Sequence, residues 1–330
     1  MRRFVAVPAV VLLFAACQNA VESPSPSPTS TSDPLAAVRR HVAELRDVPG
    51  FAEFLVSGAP DWSAVADDAV WIGNEPSQRL QRLDPGSNSF TNFARGFGPC
   101  NGLAVGFGSL WSADCEGSRM IRVSLATGAI EAEIPSQIGS GGEGLTAAGE
   151  GFVWFIGTPG TLVIVDPATN TTSTMEVPVG AVAATVGFGA VWLSDQGEQN
   201  VLRIDPVART ITATIEIGGT PRFLVAGEGA VWVLNQANGT VARIDPATNT
   251  VTATIVADSP GQGGCIAVGS GAVWTTTFDR PLTRIDAATN EVTAQYMGGQ
   301  SGDCVAVGFD SVWLSNLRLG SVWRIPLPLP

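Results

Sequence analysis

Residues 220–255 read TPRFLVAGEGAVWVLNQANGTVARIDPATNTVTATI. Four short runs rich in Val, Ile and Thr are separated here by turns of Gly, Asn, Asp and Pro; they span 222–226, 230–234, 240–244 and 250–255. β-Branched residues between such turns are typical of β-strands joined as hairpins. The segment therefore predicts one four-stranded antiparallel sheet, which is too small to bury a core without neighbours.

The same pattern occurs seven times along the chain, and each copy carries a tryptophan. These residues are Trp71, Trp111, Trp154, Trp192, Trp232, Trp274 and Trp313, at spacings of 40, 43, 38, 40, 42 and 39 residues. A period near forty with four strands per copy is typical of β-propellers. The sequence predicts an all-β fold over residues 51–330, a seven-bladed β-propeller of four-stranded antiparallel blades.

The two ends of the repeat region indicate how the ring closes. The last copy ends after its third strand, at 321–325, and the tail at 326–330 lacks a regular fourth strand. A strand-like run, FAEFLVSG at 51–58, precedes the first copy. We expect residues 52–56 to pair with 321–325 and complete the seventh blade, which would leave no open sheet edge. The alternative is a loose extra strand.

The first fifty residues differ from the repeats. Residues 1–16 combine a basic start with a 13-residue apolar run that is too short to cross a bilayer as a helix, and they predict a signal peptide. The run ends in Phe-Ala-Ala-Cys, which resembles a bacterial lipobox and implies lipidation of Cys17; an ordinary secretory signal is the alternative. Residues 17–32 would form the lipidated cysteine and a Ser/Pro/Thr-rich tether. Residues 33–50 predict a short helix, running to about Arg46, and a linker.

Charge limits the classes of partner. The chain has a net charge of −12, with 30 acidic residues, 18 arginines and no lysine. An acidic surface without basic clusters argues against nucleic acid and against charge-driven binding to anionic lipid. We therefore expect membrane contact through the lipid anchor only, on the extracytoplasmic side of a bacterial cell membrane. The single histidine, His41, lies on the expected helix and is not assigned a catalytic role.

Four cysteines follow Cys17, which fits an oxidising compartment. Cys100 and Cys115 flank one hairpin and should face each other at its open end, so we expect a disulfide between them. Cys265 and Cys304 occupy equivalent positions in adjacent blades and could pair only if their Cα atoms approach within about 7 Å. The sequence leaves that second pairing open. It offers no Cys-x-x-Cys motif or His/Cys cluster for zinc, haem or iron–sulfur binding.

Strand direction sorts the turns onto two faces of the propeller. The turns between the third and fourth strands begin with an aspartate and share one face: Asp84, Asp166, Asp205, Asp245 and Asp286. Asp at the first position of a type I turn, often followed by Pro, is a structural device. In six of the seven copies an arginine stands two places before this turn position: Arg82, Arg122, Arg203, Arg243, Arg284 and Arg324. We expect these arginines to form inter-blade salt bridges or to pack over the sheet, and not to form a binding patch.

The opposite face carries residues that vary from copy to copy, and function is usually carried by such positions. The residues ten places before and three places after each Trp would be cross-strand neighbours around the channel mouth if the first hairpin has an even register. The binding candidates are Asp61, Asn101, Asp114, Glu143, Asp195, Arg222, Asp303 and Arg318. Because acidic groups outnumber arginines, we expect a cationic guest, with Arg222 or Arg318 holding a carboxylate on it. Trp62 and Phe223 could add cation–π contact.

The repeated phrase GAVW followed by RIDPATNTVTATI resembles the YVTN-type propellers and the virginiamycin B (streptogramin B) lyase family, over residues 59–325. The lyases of that family resemble each other in a histidine base beside a Mg²⁺ held by Glu and His. No blade here contains a histidine, so none of those residues can be carried over, and no catalytic residue is assigned.

Two functions of different classes are consistent with the sequence. The first is a lipid-anchored, non-catalytic propeller that binds a small molecule or a protein partner at the channel mouth, without a cofactor. The alternative is a lyase or hydrolase related to streptogramin B lyase that uses carboxylates and a divalent cation bound at the channel mouth. A serine or cysteine triad would lack its histidine base.

Overall fold

A computed structural model describes residue 36 and residues 42–56, 58–74, 78–139, 144, 146–278, 280, 282–298 and 302–329. These residues form seven antiparallel sheets that follow one another along the chain as the blades of a propeller. In each blade the first strand of the repeat contacts the first strands of the adjacent blades, so it lies nearest the central channel. The predicted seven-bladed fold is confirmed.

The strands are given from the channel outwards. Blade 1 consists of Ser63–Val65, Val70–Asn74, Arg79–Asp84 and Ser89–Arg95, and blade 2 of Ala104–Gly106, Ser109–Asp114, Arg119–Ser124 and Ile130–Pro135. Blade 3 consists of Ala147–Gly149, Phe152–Ile156, Thr161–Asp166 and Thr171–Glu176, and blade 4 of Ala181–Gly187, Ala190–Asp195, Asn200–Asp205 and Thr210–Glu216. Blade 5 consists of Pro221–Gly227, Ala230–Asn235, Thr240–Asp245 and Thr250–Val256. Blade 6 consists of Ile266–Gly269, Ala272–Thr275, Leu282–Asp286 and Val292–Met297, and blade 7 of Gly302–Gly308, Ser311–Asn316, Ser321–Pro326 and Ala52–Leu55.

The repeated tryptophans are fully buried in the second strand of each blade. In six blades the indole Nε1 donates a hydrogen bond of 3.0–3.2 Å to the carbonyl of the glycine five places earlier. Blade 1 differs, because Ala66 stands where the other blades have that glycine, and Trp71 Nε1 has no hydrogen-bond partner among the described residues. The tryptophan thus ties the tip of the first hairpin to the blade core.

Four of the six repeated arginines join neighbouring blades through asparagine amides where salt bridges were one expectation, and their guanidinium groups pack over the tryptophans, which was the other. Arg82 instead pairs with Asp68, and Arg284 donates to Thr293, each within its own blade. Arg243 Nη1 donates to Asn290 Oδ1 at 3.2 Å, in the turn of the next blade, and its guanidinium lies 5.2 Å from the ring of Trp232 in its own blade. The same arrangement links Arg122 to Asn170, Arg203 to Asn249, and Arg324 to Asn88. These asparagines have positive φ, a conformation that Asn tolerates better than most residues. The arginine is therefore an inter-blade clamp.

The ring closes through the N-terminal strand, as predicted. Ala52–Leu55 pairs antiparallel with Ser321–Pro326, with Ala52 opposite Arg324 and Leu55 opposite Ser321. A side-chain cluster reinforces the pairing, because Trp323 Nε1 donates to Glu53 Oε1 at 2.9 Å and Arg46 contacts the same carboxylate.

The segment before this strand differs from the sequence prediction. Ala43–Glu44 is a short strand that pairs in parallel with Val292–Met297 at the outer edge of blade 6, and Leu45–Asp47 is one 3-10 turn. Ala36 is helical, but the helix does not run to Arg46 as expected, because residues 43–44 pair with the sheet edge and Leu45 is buried in the core. Cys17, His41 and the tether lie outside the described residues. In the part of the chain that is described, no helix has the length and apolarity needed to cross a bilayer.

Candidate binding site at the channel mouth

A cavity of about 330 Å³ lies at the end of the channel where the innermost strands begin. It is lined by Asp61, Trp62, Arg222, Phe223, Gln262, Gly263, Gly264, Phe278, Asp303 and Leu317. Three predicted site residues therefore meet here: Asp61 from blade 1, Arg222 from blade 5 and Asp303 from blade 7.

A β-bulge directs two of these side chains, Arg222 and Asp303, into the mouth. The residue eleven places before the Trp, and not the one ten before it, pairs with the residue three after it, as in Pro221 opposite Asn235. The register shifts at the next residue, so Arg222 is the extra residue of a bulge; Asp303 lies in the same kind of shift. The even register expected from the sequence is wrong at this point. A bulge re-aims the extra side chain, which explains why this position faces the site.

Hydroxyl groups hold the backbone of all three residues. Ser194, Thr276 and Ser315 each lie two places after a Trp, the two serines within the second strand of a blade and Thr276 directly after the end of one. Each Oγ donates a 2.6 Å hydrogen bond into the next blade, to the carbonyl of Arg222, Asp303 and Asp61 respectively. We call these three bonds the hydroxyl latches. They were not identified from the sequence, although a hydroxyl in an otherwise apolar buried strand is a signal that could have revealed them.

The carboxylate of Asp303 is fixed at the wall of the cavity. Its Oδ1 accepts a hydrogen bond of 3.0 Å from the backbone N–H of Gly264, and only 8% of the residue is exposed. Gly264 has a φ of +79°, and a Cβ there would lie 1.9 Å from the carbonyl oxygen of Thr276. Only glycine fits this position, so the anchoring of Asp303 depends on it.

Arg222 faces the cavity from the other side. Its Nη1 donates to Gln236 Oε1 at 3.3 Å, and its guanidinium lies 4.9 Å from the ring centroid of Phe223. Gln236 in turn donates to the carbonyl of Gly263, which also lines the cavity. The guanidinium is therefore positioned by an amide and an aromatic face.

Two aromatic rings form the floor of the cavity. Trp62 and Phe223 pack edge to face with ring centroids 5.9 Å apart, and both are almost completely buried. Since Trp62 belongs to the approach to blade 1 and Phe223 to blade 5, this contact crosses the channel. At the rim, Arg318 is exposed and its guanidinium lies 5.1 Å from the ring of Phe278.

The other predicted residues lie outside the lining of this cavity. Asp195 Oδ1 accepts hydrogen bonds from the N–H groups of Gly197 and Glu198, so its carboxylate organises a turn. Asp114 likewise accepts hydrogen bonds from the N–H of Gly117 and from the Arg119 guanidinium. The hydrogen bond to Asp114 raises the pKa of Arg119.

Asn101 is also buried, and its Oδ1 accepts a hydrogen bond from the N–H of Gly144 in blade 3. Glu143 lies outside the described residues. Among the residues that are described, no three His, Cys, Asp or Glu side chains are grouped closely enough to hold a metal ion.

Two disulfides stabilise this end of the propeller. Cys100–Cys115, with Cα atoms 5.9 Å apart, is the predicted bridge within blade 2 and is confirmed. Cys265–Cys304, which the sequence left open, also forms, with Cα atoms 5.0 Å apart. It joins blades 6 and 7 immediately below Gly264 and Asp303. Both bridges are consistent with an oxidising, extracytoplasmic compartment.

Comparison with known proteins supports the fold. No family model and no curated protein matches the sequence. Among solved structures the chain is similar to one described as a streptogramin B lyase structure, with a TM-score of 0.71 and 19% sequence identity. The match covers 83% of this chain and 96% of that one. At this identity the likeness shows the fold alone, a lyase-like β-propeller.

Proposed function

We propose that this chain is a lipid-anchored, extracytoplasmic propeller that binds a small ligand at the channel mouth without catalysis. The observation that carries the proposal is the cavity itself, where Asp61, Arg222 and Asp303 converge from three blades above an aromatic floor. Its volume of about 330 Å³ is at the small end of the range for small-molecule sites. The hydroxyl latches supply the rigid backbone that a binding site requires.

The lining indicates the chemistry of the ligand. Two carboxylates and one guanidinium favour a cationic guest that also carries a carboxylate, with the cationic group near Asp61 and Asp303 and the carboxylate near Arg222. Trp62, Phe223 and Phe278 offer aromatic faces to the cation or to an apolar part. A molecule of amino-acid size fits this description.

Two features support binding without turnover. Residues 42–330 contain no histidine, the side chain best suited to proton transfer near neutral pH. Asp303 is held by a backbone N–H, which suits a fixed charge better than a mobile base. The alternative, a lyase or hydrolase that uses mouth carboxylates and a divalent cation, is favoured by the fold similarity alone.

Ligand binding can be tested with amino acids as probes. L-Arginine, L-lysine and glycine betaine should raise the thermal midpoint of the purified propeller, since a ligand at a hundred times its Kd stabilises by about 2.7 kcal/mol. Asp303→Asn keeps an acceptor for the Gly264 N–H while removing the charge, and should weaken binding at least tenfold. Glu216→Gln, an identical charge change on an outer strand of blade 4, should leave binding unchanged. Equal affinity in both variants would contradict the proposal.

Turnover separates the two functions. Incubation of the wild-type protein with a streptogramin B lactone and Mg²⁺ should leave the lactone intact by mass spectrometry. Metal-dependent opening of the lactone that Asp303→Asn abolishes would make this protein an enzyme.

The lipid anchor is tested separately. In the full-length precursor, Cys17 should be acylated and the chain cleaved after Ala16. Cys17→Ser removes the residue that would carry the acyl chains. It should therefore leave uncleaved precursor or release the protein from the membrane, because stable anchoring depends on those chains. Unchanged membrane association, with no lipid on the mature N-terminus by mass spectrometry, would contradict the anchor.

A further inference from the structure

The Cys265–Cys304 disulfide lies between the mouth cavity and the channel. Gly264 and Asp303 line the mouth, while Cys265 and Cys304, the residues that directly follow them in the sequence, line a second cavity of about 320 Å³ inside the channel. Both cysteines are buried, with 1% and 4% of their surface exposed. The bridge therefore lies directly beneath the two residues whose hydrogen bond fixes the mouth carboxylate.

The hydrogen bond above the bridge joins two blades. Gly264 leads into the first strand of blade 6, and Asp303, 39 positions further along the chain, lies in the first strand of blade 7. Because these strands belong to different sheets, no strand pairing sets the 3.0 Å distance from Gly264 N to Asp303 Oδ1. A covalent link is one residue away, where the Cα atoms of Cys265 and Cys304 are 5.0 Å apart. The disulfide therefore limits how far Gly264 and Asp303 can separate.

Three hydrogen bonds connect the bridge to the backbone of Asp303. The Cys265 N–H donates to Thr276 Oγ1 at 3.0 Å, and the same hydroxyl donates to the carbonyl of Asp303. The Val305 N–H, two places after Asp303, donates to Cys265 Sγ at 3.0 Å. The disulfide, the Thr276 hydroxyl and the sulfur contact thus hold the backbone that carries the Asp303 carboxylate.

Aromatic residues stand at the same level in two other blades. Cys265 and Cys304 lie nine places before a repeated Trp, the position that Trp62 occupies in blade 1 and Phe223 in blade 5. Trp62 and Phe223 meet in the edge-to-face contact that forms the floor of the mouth. Blades 6 and 7 have a covalent bond at this level, next to a mouth carboxylate that bonds across the boundary between them.

We propose that the Cys265–Cys304 disulfide positions the mouth site: it keeps Gly264 and Asp303 within hydrogen-bond distance, and breaking it weakens the binding of a cationic ligand. This rests on the proposed function, because it requires a ligand that contacts Asp303. A carboxylate already held in its bound geometry does not have to be ordered by the ligand, whereas a loosened one does, and affinity falls. Cys265 and Cys304 are positioning residues, since the mouth cavity is lined by their neighbours.

The geometry is tested first, without a ligand. Cys265→Ser combined with Cys304→Ala removes the bridge and keeps an acceptor for the Val305 N–H. By NMR, the Gly264 N–H should exchange with solvent at least tenfold faster in this double variant than in the wild type, because its bond to Asp303 is loosened.

Two controls separate this effect from a general loss of stability. The Gly197 N–H makes the same kind of bond in blade 4, to Asp195 Oδ1 at 2.9 Å, and should keep its exchange rate in the double variant. Cys100→Ala combined with Cys115→Ala removes the other bridge and should leave the exchange of the Gly264 N–H unchanged.

Binding of L-arginine is then measured by calorimetry. The variant without the Cys265–Cys304 bridge should bind at least tenfold more weakly than the wild type, and the variant without the Cys100–Cys115 bridge should bind equally well. In an Asp303→Asn background, removal of the Cys265–Cys304 bridge should weaken binding by less than about threefold more, because the charge that it positions is already absent. Equal losses in both backgrounds would overturn the proposal, since the bridge would then act on the fold and not through Asp303.

Reduction tests the bridge in the protein without substitutions. Dithiothreitol gives two electrons and two protons to the disulfide, which becomes two thiols, and the reagent closes to its own disulfide. Because linkage is reciprocal, tenfold weaker binding to the reduced protein means that saturating L-arginine makes reduction of Cys265–Cys304 tenfold less favourable, a shift of about 30 mV for two electrons. Alkylation and mass spectrometry follow each bridge separately, and Cys100–Cys115 should show no shift.

The outcomes distinguish this role of the disulfide from the proposed function. Suppose that L-arginine binds the wild type and the bridge-free variant equally, or that bound L-arginine does not shift the reduction of Cys265–Cys304. Either result would overturn the positioning role and leave the mouth site standing. If L-arginine, L-lysine and glycine betaine all fail to bind the wild type, the proposed function fails, and the exchange rate of the Gly264 N–H decides whether the bridge positions Asp303.

Discussion

Removal of the Glu53 carboxylate is the sharpest test of how the ring closes. Glu53 is the point where the N-terminal strand meets the last strand of the repeat. It accepts the Trp323 indole N–H at 2.9 Å and two Arg46 N–H groups at 2.9 and 3.0 Å. The Arg46 guanidinium also lies 4.7 Å from the Trp323 ring. Burial raises the pKa of Glu53, but the hydrogen bonds from Trp323, Arg46 and Ser321 together outweigh it and hold that pKa below its ordinary value.

The expected loss of unfolding free energy in Glu53→Ala follows from these contacts. The indole–carboxylate bond contributes about 1.5–3 kcal/mol because the acceptor is charged. The Arg46 pair adds at most about 1 kcal/mol, since half of the Arg46 side chain is exposed. Glu53→Ala should therefore destabilise the propeller by about 2–4 kcal/mol. At about 2–4 °C per kcal/mol for a large domain, the thermal midpoint should fall by roughly 4–16 °C.

Thermal unfolding followed by near-UV circular dichroism measures this shift. Glu133→Ala is the matched control, because Glu133 also pairs with an arginine, Arg119, but its side chain is 52% exposed on an outer strand. That variant should lose less than about 1 kcal/mol. A midpoint for Glu53→Ala within 1 °C of the control would refute the idea that this cluster fastens the ring.

Three further predictions concern single contacts. Arg243→Lys should lower the unfolding free energy by about 1–2 kcal/mol in urea, and adding Asn290→Ala should lower it little more, because both changes remove the same inter-blade bond. Gly264→Ala should destabilise by more than about 2 kcal/mol and abolish amino-acid binding at the mouth, as read by thermal shift, since its Cβ meets a carbonyl at 1.9 Å. Backbone hydrogen bonding from Ala247 lowers the pKa of Asp245 below 3.8, so its stabilisation is present above that value and is lost as the pH falls through the folded-state pKa. Acid titration by circular dichroism should therefore be steeper in the wild type than in Asp245→Asn.

The blades could be predicted from the sequence because their determinants are local. The Trp, the glycine five places before it and the Asp-Pro turn all make their contacts within one copy of about forty residues. Their repetition along the chain therefore predicts the fold. The closing strand could also be predicted, because a missing fourth strand and a spare first one have a single topological solution.

Contacts between blades were harder to predict because their partners are distant in the chain. The hydrogen bond from Arg243 to Asn290 joins residues 47 positions apart in the sequence. Only the three-dimensional packing of neighbouring blades shows that the arginine's acceptor is the Asn290 amide oxygen. The bulge that places Arg222 in the mouth could not be recognised from the hydrophobic pattern of the sequence. One extra residue at the start of a strand does not alter the pattern of apolar residues in the two strands that it joins to the mouth. Residues 43–47 formed a strand and a 3-10 turn because an available sheet edge overrode their helical pattern.

The position ten places before each Trp shows how this fold separates architecture from binding. At Asp61, Arg222 and Asp303 a hydroxyl latch from the preceding blade holds the backbone carbonyl, whichever side chain the residue carries. This backbone contact is therefore compatible with either an aspartate or an arginine side chain. Because the latch contacts the backbone and not the side chain, similarity of fold carries no information about which side chain occupies this position. The chemistry of the mouth must be read from the side chains themselves, and here they present two carboxylates, one guanidinium and an aromatic floor.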